Sequence, residues 1–116
     1  MSLVMVIDDD SMMLRMAGFI LRKGGHESAA ASSGEQALSV LSQSRPDFVF
    51  IDCEMPGMSG FELLEIIKAA PETASLPVCM MSGTMTDETT ARAEKLGAVG
   101  CIEKPLDPAK FLAIIN

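Results

Sequence analysis

Five short apolar runs recur along the chain, at Leu3 to Ile7, Glu27 to Ala30, Phe48 to Ile51, Val78 to Met81 and Val99 to Ile102. The second is the weakest, being mostly alanine and serine. Val49-Phe50-Ile51 and Val78-Cys79-Met80-Met81 are continuous rather than alternating, which predicts parallel strands covered on both faces and left with no solvent side for polar residues. Helical patterns fill the gaps between runs. Ser11 to Lys23 carries Met12, Met13, Met16, Phe19 and Ile20 at helical spacing and closes on Gly24-Gly25. Ser33 opens a second helix with a capping-box spacing that puts Gln36 at its third position, ahead of Leu38 and Leu41, and Arg45-Pro46 ends it. Ser59 precedes Gly60, Phe61, Leu64 and Ile67 up to Pro71, while Asp107-Pro108 fits a cap followed by proline at the first position of a last helix through Leu112 and Ile115. The fourth helix, about Thr86 to Leu96, offers a core only Ala91, Ala93 and Leu96, so it is the element best suited to move.

Five strand–helix alternations joined by right-handed crossovers predict one α/β domain with a doubly wound parallel sheet. Ligands of such sheets gather at the carboxyl ends of the strands. There the sequence places Asp8, Asp9 and Asp10 after the first strand, Asp52 after the third, Ser82 after the fourth and Lys104 after the fifth. A single polar residue at one strand end says little, since such residues commonly cap helices. Four strand ends supplying complementary groups to one crevice say more. Three carboxylates converging at about 5 Å repel by roughly 3 kcal/mol per pair at an effective dielectric near 20, a repulsion that a divalent cation would offset. An all-oxygen donor set without His or Cys suits Mg²⁺ rather than zinc. A carboxylate can attack phosphorus to form an acyl phosphate when cations neutralise the equatorial oxygens, and Lys104 is placed to be one of them. The Ser82 hydroxyl can then donate to a new phosphoryl oxygen.

Composition removes other classes. The 116 residues fit one domain, and a net charge of −7 without a basic block lacks the footprint of a nucleic-acid or anionic-membrane binder. No apolar run approaches the ~18 residues of a membrane span, and the N-terminus has no basic leader or small-residue cleavage pattern, so a cytoplasmic location is expected. Cys53, Cys79 and Cys101 are odd in number and lack C-x-x-C spacing, which reads as reduced, buried thiols. His26, beside Gly25, reads as a turn or surface histidine, and Asp10 as a helix cap. The methionines read as adaptable core filler, with Met55 and Met58 placed in the loop after Asp52 where a partner could touch them.

Val6-Ile7-Asp8-Asp9-Asp10, Phe50-Ile51-Asp52-Cys53-Glu54-Met55-Pro56-Gly57-Met58-Ser59-Gly60, Met81-Ser82-Gly83 and Glu103-Lys104-Pro105, in that order and at that spacing, resemble the receiver domain of two-component response regulators, of the chemotaxis-regulator kind. The resemblance covers nearly the whole chain. It implies a flavodoxin-like (βα)5 sheet of order 2-1-3-4-5. It also implies Asp52 as phosphoacceptor, with Mg²⁺ held by Asp9, the Asp52 carboxylate and the backbone carbonyl of Glu54, and with Asp8 acting mainly through a bound water. Lys104 would pair with the phosphoryl group, Ser82 would be the switch hydroxyl, and the Lys104–Pro105 bond would be cis. The implied donor is a phosphohistidine on a histidine kinase or histidine phosphotransfer protein. The implied reader is an output domain or a second copy at the face of the fourth helix, fifth strand and fifth helix.

On this reading residues 1–116 form one receiver unit of a longer protein, because the last helical pattern runs to Asn116. It is a phosphorylation-dependent signalling switch and not a turnover enzyme. Three positions depart from the family's usual pattern. Cys101 stands where an aromatic residue is usual, Ser82 stands for the commoner threonine, and Glu54 adds a carboxylate that can alter acyl-phosphate lifetime or metal affinity. Two alternatives stand beside the switch: a Mg²⁺-dependent phosphatase of haloacid-dehalogenase type built on Asp8 and Asp10, and a degenerate receiver serving only as an interaction module. In the first, Met12 occupies a place where that family uses Thr or Val.

Overall fold

Every predicted run becomes an element in the computed structural model, which describes residues 2–115; Met1 and Asn116, where the last helical pattern stops, lie outside the described residues. The order is β1 (Leu3–Ile7), α1 (Ser11–Lys23), β2 (Glu27–Ala31), α2 (Gly34–Gln43), β3 (Phe48–Asp52), α3 (Gly60–Ala69), β4 (Val78–Ser82), α4 (Asp87–Lys95), β5 (Gly100–Glu103) and α5 (Pro108–Ile115). All strand pairs are parallel, and the sheet runs β2-β1-β3-β4-β5, the flavodoxin-like order expected.

The sheet separates two apolar layers. Met5, Ile7, Val49, Ile51, Val78 and Met80 pack with Ala37 and Leu41 of α2, Phe61, Leu64 and Ile67 of α3, and Ala93 of α4. Val4, Val6, Phe48, Phe50, Cys79 and Met81 pack on the other face with Met13, Ala17 and Leu21 of α1 and Phe111 of α5. Successive strand residues thus enter opposite cores, which is why the strands read as continuous apolar runs.

Side chains and tight contacts fix the element ends. Asp10 caps α1 by accepting from the Met12 amide, and Ser59 and Glu62 form a reciprocal capping box at the start of α3. At α2, Ser33 accepts from the Gln36 amide, but the Gln36 side chain takes the Ser32 amide, so only half of the expected box forms. A Cβ on Gly60 would fall on the Asp52 carbonyl oxygen and stand 2.9 Å from Cys53 Cα. Only glycine lets α3 begin this close to the end of β3. Gly60→Ala is therefore expected to lower stability by about 2–3 kcal/mol, read as a fall in melting temperature, because the clash is with backbone that cannot rotate away.

Four sequence expectations change. His26 is buried, 8% exposed, with Nδ1 accepting from the Ser2 amide, because the turn after α1 folds it under the N-terminal segment rather than into solvent. Met12, Met16 and Phe19 are exposed, at 68%, 41% and 58%, not core filler. β5 starts at Gly100, leaving Val99 exposed. Met55 is buried and packs in the core, so only Met58 of that loop pair keeps exposed surface, lying against Gly34. Cys53, Cys79 and Cys101 are free thiols, the first two buried as expected and Cys101 half-buried. Burial pushes the Cys53 and Cys79 thiols up to about 12, so both are poor nucleophiles.

Candidate functional site at the carboxyl edge of the sheet

Asp52 is the last residue of β3 and Ser82 the last of β4, while Asp8 follows β1 directly. Parallel pairing brings these ends level, with Asp52 beside Met81 and Ser82 beside Glu103. The Lys104 amide donates to the Ser82 carbonyl at 2.8 Å, which sets Lys104 just past β5. The Lys104–Pro105 peptide is cis, as expected. Asp8, Asp52 and Ser82 are 0%, 3% and 2% exposed, whereas Asp9 is open to solvent.

The Lys104 ammonium joins the two buried acids. Its Nζ lies 2.8 Å from Asp8 Oδ2 and 3.2 Å from Asp52 Oδ1. Asp52 Oδ1 also accepts from the Glu54 amide at 3.3 Å, and Asp8 Oδ1 from the Asp10 amide at 3.0 Å. Burial and the neighbouring Asp8 charge raise the Asp52 carboxyl to about 6, against the opposing pull of the Glu54 amide and Lys104. Burial by itself would lower Lys104, but its contacts with Asp8 and Asp52 outweigh that and hold its pKa above the usual lysine value.

One oxygen from each of Asp8, Asp9 and Asp52 lies within 4.8 Å of the others. These three acids and Lys104 are thus brought together, with Ser82 at the end of the adjoining strand β4. Asp10 is not part of the group, since it caps α1. Two features escaped the sequence reading. The Ser82 hydroxyl donates to Glu54 Oε1 at 2.8 Å, and an apolar groove of about 410 Å³ opens beside Lys104, lined by Asp10, Met12, Met13, Met16 and Pro105.

The family model of the response regulator receiver domain matches residues 4–116. The chain belongs to this family. Among curated relatives, the receiver is 28% identical over 113 residues to the phosphate regulon transcriptional regulatory protein PhoB of Klebsiella pneumoniae and 29% identical over 113 residues to the DNA-binding response regulator MtrA of Mycobacterium leprae. Each match takes in 97% of this receiver and 49% of the relative, so the chain spans about half the length of these curated relatives. Among solved structures, chemotaxis protein CheY4 of Vibrio cholerae superposes with a TM-score of 0.94 at 27% identity, covering 99% of the receiver and 96% of that chain. Receivers are the phosphorylation-dependent switches of two-component signalling, and these matches give the phosphatase alternative no support. Among the described residues no helix is long and apolar enough to cross a membrane.

Proposed function

We propose that this receiver accepts a phosphoryl group on Asp52 from a phosphohistidine of a histidine kinase or phosphotransfer protein, in a Mg²⁺-dependent reaction in the cytosol. The observation that carries the reading is the Lys104 ammonium set between the buried Asp8 and Asp52 carboxylates, 2.8 and 3.2 Å away. An Asp52 oxygen lone pair attacks phosphorus, the P–N bond breaks and its electron pair leaves on the imidazole nitrogen. Lys104 keeps its proton, held by two anions, and neutralises charge on the phosphoryl oxygens. Burial excludes water from the acceptor and strengthens that pairing.

The clustered, all-oxygen donors fit a hard divalent cation. Asp9, Asp52 and the Glu54 carbonyl would hold Mg²⁺, with Asp8 helping through a water, and the ion when bound would supply further neutralisation of the phosphoryl oxygens. The apolar groove of Met12, Met16 and Pro105 beside Lys104 supports docking of the donor on that side. An output domain or a second copy would read the face of α4, β5 and α5.

With acetyl phosphate as donor, intact mass is expected to rise by one phosphoryl group in Mg²⁺ and not in chelator. Unmodified protein under saturating donor, with metal binding confirmed by titration, would contradict the proposal.

A further inference from the structure

The switch hydroxyl is already engaged. Ser82 Oγ donates to Glu54 Oε1 at 2.8 Å, lies 2.9 Å from the Thr84 carbonyl oxygen, and accepts from the Thr84 amide at 3.1 Å. A hydroxyl has one proton, so it can serve Glu54, Thr84 or a phosphoryl oxygen, but only one at a time. A carboxylate is the stronger acceptor of the two present. Ser82 is itself 2% exposed, so no bulk water stands ready to replace a lost partner.

We propose that Glu54 is a brake on the switch: its side chain holds the Ser82 proton and competes with the phosphoryl group for it. The inference rests on the acceptor reading of Asp52 and adds a positioning residue to it. When Ser82 turns to a phosphoryl oxygen, its contact with Thr84 also breaks, releasing the segment that leads into α4. That helix has Ala93 as its only buried residue and is held partly by Arg92 stacked 4.2 Å over the Phe61 ring. Cys101 sits half-buried in β5 and offers no ring to turn inward, so the signal leaves through the Ser82–Thr84 link to α4.

Two readouts test the brake. In unphosphorylated protein, Glu54→Ala should shift the Thr84 amide resonance, and the same change in a Ser82→Ala background should not. No shift, or equal shifts in both backgrounds, overturns the contact. After treatment with acetyl phosphate, the phosphorylation-induced change in hydrogen exchange across residues 83–96 should grow about fivefold in Glu54→Ala, in keeping with loss of one competing hydrogen bond. Glu54→Gln, which keeps an acceptor oxygen without its charge, should fall between. A response equal to or smaller than wild type overturns the brake. Phosphoryl uptake is followed by mass in the same samples, so wild type that takes no phosphoryl group refutes the acceptor reading and the brake with it, whereas normal uptake without the larger response in Glu54→Ala refutes the brake alone.

Discussion

Lys104→Met is expected to slow phosphoryl uptake from acetyl phosphate by about 10²–10³-fold, the loss typical when one preorganised donor to a developing anion is removed. The cause is specific to this amine. Its Nζ is within 3.2 Å of two buried carboxylates, and no other Lys or Arg forms an ion pair with either among the described residues. Methionine keeps much of the apolar stem and removes only the charge. The same substitution strands Asp8 and Asp52, which are 0% and 3% exposed, beside each other without a cation. Breaking a buried pair from one side costs about 3–5 kcal/mol, and the 22% exposure of the lysine side chain trims that to about 2–3 kcal/mol. A marked fall in melting temperature in metal-free buffer should therefore accompany the slow uptake. Initial rates by intact mass and melts by circular dichroism read both effects, the latter because the chain has no Trp or Tyr. Uptake within about threefold of wild type would show that this amine does not neutralise the phosphoryl group.

Asp52→Asn should have opposite signs in the two assays: no phosphoryl uptake, and higher stability in metal-free buffer at neutral pH. Folding raises the Asp52 carboxyl from its ordinary 3.8 to about 6, so the folded state binds the extra proton. Its contribution is harmless below pH 4, turns unfavourable as pH rises from about 4 to 6, and is fully unfavourable above that window. That rise, already net of the attraction to Lys104, corresponds to a gain on the order of 2–3 kcal/mol. The melting temperature of the variant should exceed that of wild type by several degrees at pH 7.5, with the gap closing near pH 4. Mg²⁺ should raise wild type more than the variant. A variant less stable than wild type at pH 7.5 without metal would mean that the carboxylates are not crowded.

The elements and the four strand-end groups were legible because they rest on local signals. Continuous apolar runs mark strands buried on both faces, and capping residues such as Ser59 and Asp10 mark helix starts. The orientation of α1 was not legible. Met13, Ala17, Ile20 and Leu21 form one apolar stripe, and Met12, Met16 and Phe19 form a second beside it with the same helical spacing. The sheet accepts only one, and it takes the stripe containing small Ala17, which lets the helix approach closely. Met12 and Met16 of the other stripe are left to line the groove beside Lys104, where an exposed apolar patch suits a partner. The burial of His26 and the Glu54–Ser82 bond escaped for a different reason. Both depend on contacts 24 and 28 positions apart in sequence, made in one case through the N-terminal segment and in the other through a loop side chain. No periodicity records such contacts.

The acceptor itself can be located by chemistry. Borohydride reduces an aspartyl phosphate to homoserine, and peptide mapping after brief treatment with acetyl phosphate and Mg²⁺ then reports which carboxylate carried the group. The account predicts homoserine at position 52, with none at positions 8 or 9. Homoserine at position 8 with position 52 untouched would contradict it and return the site to chemistry centred on the first strand.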